Sequence, residues 1–147
     1  MNETAKQPPQ TLTEMLRLRF KGLLDPVGAF LNRLGIAPNT LTLTGLAGNL
    51  VGAIFLARGD FLIGGLILLF MGPLDALDGT MARLRGEPTA FGGFIDSVTD
   101  RYSELLIYGG MLLHYAMAAD ITMSMVTFAA ASGSVLVSYT RARAQGL

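Results

Sequence analysis

Four long apolar runs leave this chain few ways to fold. They cover about Asn39 to Ala57, a stretch from Phe61 that continues as LIGGLILLFMGPLDALDGTMARL, Phe91 to about Met117, and Ile121 to about Tyr139. Each has the roughly 20 residues a helix needs to cross a bilayer. In lipid, a spanning segment must satisfy its own backbone groups, and a helix does so. The second and third runs exceed that length because their charged ends project from the hydrocarbon. The chain has 147 residues, 51% hydrophobic and 15% charged, too apolar for an ordinary soluble domain. The expected fold is all-α and integral to the membrane, with four transmembrane helices.

Two segments precede the spans. Residues 1–10, MNETAKQPPQ, are polar and read as disordered. They do not read as a signal peptide, because no short apolar region with a small-residue cleavage site follows. Residues 11–35 are amphipathic. Leu12, Met15, Leu16, Leu23, Leu24, Phe30 and Leu31 supply the apolar side, and Arg17, Arg19, Lys21 and Arg33 the charge. This pattern fits a helix lying on the membrane surface, interrupted near Pro26; a soluble amphipathic helix is the alternative. Residues 36–147 then form the transmembrane domain, with Pro38 marking its first helix start.

Charge sets the orientation. With the amino terminus cytoplasmic, Lys6, Arg17, Arg19, Lys21, Arg33, Arg83, Arg85, Arg141 and Arg143 all fall inside, while the outer loops carry only Arg58. The reading is a multi-pass protein of the cytoplasmic membrane. Its 11 basic and 11 acidic residues balance, which gives no sign of a nucleic-acid partner. The absence of cysteine excludes disulfides, thiolate metal sites and cysteine nucleophiles, and a single histidine cannot build a histidine-rich zinc site. That histidine, His114, sits near the outer end of the third span, where an interfacial structural role fits better than catalysis. Gly48 and Gly52 form a small-xxx-small pair suited to close helix packing, a weak argument for a homodimer.

Within this apolar setting, four aspartates fall in one run, DALDGTMARLRGEPTAFGGFIDSVTD. Asp75 and Asp78 are three apart, and Asp96 and Asp100 four apart, so each pair shares one face of a helix. Carboxylates are costly at membrane depth. Four of them on two neighbouring helices call for cations, and oxygen-only ligands select hard ions such as Mg2+ or Mn2+. Two ions about 4 Å apart are the arrangement used for phosphoryl chemistry. Gly79 lets a ring or phosphate approach the helix, and Ala82 keeps the groove shallow. Arg83 offers a planar fork to phosphate oxygens. Gly92 would let the third span pack close to the second. Structural ion pairs of the aspartates with Arg83, Arg101 and Lys21 are the rival reading.

The spacing D-x2-D-G-x2-A-R-x8-G-x3-D-x3-D is met in full by Asp75, Asp78, Gly79, Ala82, Arg83, Gly92, Asp96 and Asp100. Here the chain resembles the CDP-alcohol phosphotransferase family, integral-membrane enzymes of phospholipid synthesis. The resemblance extends to the preceding P-N-T-L-T segment and to the order of spans. It implies that Asp75, Asp78, Asp96 and Asp100 hold two divalent cations, Mg2+ or Mn2+. Asp100 would also be the catalytic base that deprotonates the attacking hydroxyl, though it could serve as a ligand only. The resemblance places Gly79, Arg83 and Thr89, and the segment Pro38, Asn39, Thr40 and Leu41, against the CDP moiety. Thr89 could instead cap the third span, and Pro38 and Asn39 could simply start the first. Glu104, one turn beyond Asp100, could orient Arg101 or a ligand, or form a structural pair.

The implied reaction moves a lipid phosphate from a CDP-alcohol such as CDP-diacylglycerol to a hydroxyl acceptor, releasing CMP. The closing run with Ser138, Tyr139, Arg141, Ala142, Arg143 and Ala144 resembles the branch that takes inositol phosphate. Arg141 and Arg143 suit an acceptor that carries its own phosphate, glycerol phosphate included. They equally satisfy the positive-inside pattern. Family members have six spans and four are counted here, so the expectation is a chain cut short after its fourth. Two other readings stand beside this one. An intramembrane prenyltransferase would place its aspartate motifs far apart in sequence. A divalent-cation transporter would place carboxylates near the bilayer midplane.

Overall fold

The computed structural model describes residues 12–86 and 89–146. The expected disorder of residues 1–10 lies outside them, as do the side chains of residues 12–21 that supply part of the amphipathic pattern. Five helices follow one another: α1 Leu12–Arg33, α2 Pro38–Arg58, α3 Phe61–Leu84, α4 Ala90–Met117 and α5 Ile121–Gln145. The fold is an all-α membrane fold. Helices α2, α3 and Ile121–Ala144 within α5 are long and apolar enough to cross a bilayer. Helix α4, at 28 residues, is also long enough, but Asp96, Asp100, Arg101 and Glu104 interrupt its apolar run.

Helix α2 is the centre. It packs against α3 on one side and α4 on the other; α5 packs on α4, and α1 on α3. Glycines make the close approaches possible. A Cβ on Gly48 would collide with the Met71 side chain, and one on Gly110 with the Ala53 backbone. The Gly48 and Gly52 pair is thus occupied inside the chain, against Met71 and Leu68 of α3, and no longer argues for a homodimer. Where α3 and α4 meet, side chains make the contact, Phe61 lying edge-on to His114 with ring centroids 4.9 Å apart, and among the described residues the helix backbones do not pack closely. The space a side chain on Gly92 would take holds only Thr89 Oγ1, so its role is not the packing of α4 on α3. The two acid-bearing helices instead flank a gap floored by α2.

Three helix boundaries carry information. Helix α1 runs unbroken through Pro26, correcting the expected interruption. Pro26 is exposed, and Gly22, whose carbonyl its ring crowds, has open space around it, so the lost bond disturbs no packing. Leu24 and Leu31 of α1, with Ile36, pack on the buried cluster of Leu41, Leu77 and Met81, while Leu23, Val27, Phe30 and Leu34 form an exposed apolar stripe. Helix α2 opens with Pro38 at its first turn, where the missing N–H costs nothing, and closes at Gly59 with φ +86°. Helix α5 extends past Tyr139 to Gln145, because alanine and arginine are strong helix formers and cations favour the carboxyl end.

Candidate functional site

Asp75 and Asp78 lie near the end of α3 and Asp96 near the start of α4, so a short connection folds the two pairs together. One carboxylate oxygen from each of Asp75, Asp78 and Asp96 lies within 4.8 Å of the other two. Asp78 is only 4% exposed, and Asp75 and Asp96 are half-buried. None of the three has a basic partner within 4.0 Å among the described residues; the ion pairs found there are Arg101 with Asp100 and Arg101 with Glu104. Three converging hard oxygen donors with that spacing fit a divalent cation. Asp100 falls outside the triad but lies close enough to Asp75 for their charges to interact.

Beside the triad lies a cavity of about 360 Å3. Asp78 and Asp96 form part of its wall, together with Pro38, Asn39, Gly79, Ala82, Arg83, Thr89 and Gly92. The sequence motif and the P-N-T segment thus meet in one place. Arg83 curls back over Gly79, within 3.5 Å of where its Cβ would be, and donates to Thr80 Oγ1 at 2.9 Å. Among the described residues its guanidinium makes no other hydrogen bond, and Arg83 lines the cavity. Thr89 lines the cavity and also caps α4, accepting from the Gly92 N–H at 2.9 Å, so the capping reading holds.

Other expected residues stand elsewhere. Thr40 is exposed and Leu41 is buried against Leu77 and Met81; neither lines the cavity. The helical period explains it: Pro38 and Thr42 share a face, and Leu41 is rotated about 100° from Thr42 toward α3. Arg141 and Arg143 are exposed on the last turns of α5 and do not line the cavity either.

The sequence reading missed several residues. Thr42 Oγ1 donates a hydrogen bond to Asp78 Oδ2. The spacing from Pro38 to Thr42, one turn of helix, was the signal available. Arg85 lines the cavity, and its Nε and Nη2 donate to Asn32 Oδ1 at 2.7 Å and the Ile36 carbonyl at 2.6 Å. Asn32 donates in turn to the Met81 carbonyl at 3.1 Å. This latch fixes the approach to Pro38 against the end of α3. Residues 32 and 85 are too far apart in sequence for any periodicity to reveal it.

Comparison with known proteins bears on the same residues. The family model described as CDP-alcohol phosphatidyltransferase matches residues 35–146. A phosphatidylinositol phosphate synthase of Streptomyces avermitilis is 40% identical over 139 residues, covering 92% of this chain and 57% of the relative. An archaetidylinositol phosphate synthase of Pyrococcus horikoshii is 38% identical over 130 residues, covering 88% and 66%. The crystal structure of Mycobacterium tuberculosis phosphatidylinositol phosphate synthase with CDP-DAG bound is similar with a TM-score of 0.79 at 31% identity, covering 84% of this chain and 63% of that one. The same enzyme in complex with manganese and citrate gives a TM-score of 0.73. The chain therefore spans about six-tenths of the length of these proteins. A family match over nearly the whole transmembrane part, on a fold that brings the motif acids together, makes this chain a member of the CDP-alcohol phosphatidyltransferase family.

Proposed function

We propose that this chain carries the catalytic part of a phosphatidyltransferase that moves a phosphatidyl group from CDP-diacylglycerol to a hydroxyl of inositol phosphate. The observation that carries the reading is the convergence of Asp75, Asp78 and Asp96 on the wall of a cavity that Arg83 also lines. The relatives named above are synthases of inositol-phosphate lipids, and one neighbour holds CDP-DAG. Family membership removes the support for the prenyltransferase and transporter readings.

In this reading the cavity between Asn39, Gly79 and Arg83 takes the CDP moiety. Gly79 and Ala82 leave room for it, and the Arg83 guanidinium on the same wall binds phosphate oxygens. Asp75, Asp78 and Asp96, joined by Asp100, hold two divalent cations, Mg2+ or Mn2+. When bound, these ions neutralise the pyrophosphate and the charge that builds on the leaving group. Thr42 fixes one oxygen of Asp78 and so orients the other. Asp100, at the free edge of the cluster, takes the proton of the acceptor hydroxyl. The hydroxyl oxygen bonds to the phosphorus that bears the lipid, the bond from that phosphorus to the CMP phosphate breaks, and CMP leaves with the electron pair. Arg141 and Arg143, on the cytoplasmic end of α5, meet the phosphate of the acceptor. The exposed stripe of α1 lies in the membrane surface.

The test is transfer in membranes supplied with CDP-diacylglycerol and, in turn, radiolabelled inositol phosphate, glycerol phosphate and serine. The expected result is label entering lipid from inositol phosphate, with CMP released, only when Mg2+ or Mn2+ is present. Transfer from none of the three, or transfer undiminished by chelator, would contradict the reading.

A further inference from the structure

Beyond the motif, α4 carries a second polar cluster. Glu104 lies eight residues after Asp96, which turns it about 80° around the helix axis. That rotation points it to α5 instead of the cavity. Its Oε2 accepts from Arg101 Nη1 at 2.8 Å and from Ser134 Oγ at 2.6 Å. Arg101 Nη1 also donates to Ser138 Oγ. The other arm, Nη2, stands 3.8 Å from Asp100 Oδ2, beyond hydrogen-bond length. One guanidinium thus sits between two carboxylates and is hydrogen-bonded to only one of them.

We propose that Glu104, seated by Ser134 and with Ser138 beside it, is a positioning residue. It keeps Arg101 short of a hydrogen bond with Asp100, at the edge of ion-pair distance, and so leaves the Asp100 oxygens free to join Asp75, Asp78 and Asp96 around a divalent cation. The inference rests on the metal-site reading given above. Its physical basis is competition. A half-buried guanidinium does not stay unpaired. Released from Glu104, Arg101 has Asp100 as its neighbour, and a forked arginine–carboxylate pair would occupy the oxygens a cation needs. Asp100 stands at the edge of the acid triad, where such a pair would pull it away.

The test follows Mn2+ binding to the detergent-solubilised chain through loss of the free-Mn2+ electron paramagnetic resonance signal. Asp75→Ala marks which binding belongs to the site. Glu104→Gln keeps the size and the hydrogen bond to Ser134 but removes the charge that holds Arg101. It is expected to weaken Mn2+ binding about tenfold, as loss of a ligand's outer partner typically does. Arg101→Gln added to Glu104→Gln is expected to restore most of that affinity, because no cation remains to capture Asp100. Arg101→Gln alone is expected to bind Mn2+ at least as tightly as the parent. A merely structural Glu104 would not be rescued by losing its partner. Unchanged Mn2+ binding in Glu104→Gln, or a loss that the double variant fails to repair, overturns the proposal. If Glu104→Gln does not survive solubilisation, Arg101→Gln decides alone, and weakened binding there overturns it. A parent chain that binds no Mn2+, or binds it equally after Asp75→Ala, overturns the metal-site reading and this inference together.

Discussion

Asp78 is the most enclosed acid of the cluster, and its position shows how the site is held. It accepts a hydrogen bond from Thr42, and no basic side chain stands within ion-pair distance among the described residues. Asp100 has a different setting, half-buried between Asp75 and Arg101. That difference fits the roles proposed for them, Asp78 as a held ligand and Asp100 as the proton acceptor. Asp100→Asn is therefore expected to lower turnover by at least about 100-fold, the scale of a lost general base. CDP binding should survive in part. A rate near the parent's in the transfer assay would remove Asp100 as the base.

At the scale of elements, the acids meet because α3 and α4 both pack on α2, which keeps their backbones apart and leaves side chains to bridge the space between them. The separation depends on glycine at the α2 contacts. Gly110 lies where any side chain would strike the Ala53 backbone, which cannot step aside as the flexible Met71 can at Gly48. Gly110→Val is expected to destabilise the protein by at least about 1–3 kcal/mol, the range for overpacking. Thermal unfolding in detergent checks this, with Gly109→Val, in open space, as the comparison. Helix positions were legible in the sequence for a simple reason. Runs of bilayer length end at charged or helix-stopping residues, and Pro38 can only open α2. The motif acids were legible because three- and four-residue spacings fix a helical face. Contacts between elements were not. Neither the Asn32–Arg85 latch nor the link of Ser134 and Ser138 to Glu104 and Arg101 leaves a periodic trace. Leu41 shows the same limit from the other side: a residue inside a recognisable segment is turned into the core by the helical period.

For the molecule as a whole, the basic residues crowd one end of the bundle and the acid cluster lies at that end. This predicts that the cavity opens to the cytoplasm. The chain has no cysteine, so single cysteines can report the side directly. Ala118→Cys, between α4 and α5, is expected to react with a membrane-impermeant maleimide in intact cells. Ala144→Cys, at the end of α5, should react only after permeabilisation. Labelling of both from one side would mean that α5 does not cross, and a reversed pattern would invert the orientation. The same experiment tests whether α4, with its polar first half, crosses as well, since α2 and α3 otherwise return the chain to the wrong side for Ala118.

The claim beneath all of this is that acids from α3 and α4 grip divalent metal beside a nucleotide cavity. The most direct measurement is anomalous scattering at the manganese edge from crystals grown with Mn2+ and CDP. Manganese peaks enclosed by Asp75, Asp78, Asp96 and Asp100, with the CDP phosphates against Arg83, are the expected result. Saturating Mn2+ with no peak among those carboxylates would contradict it.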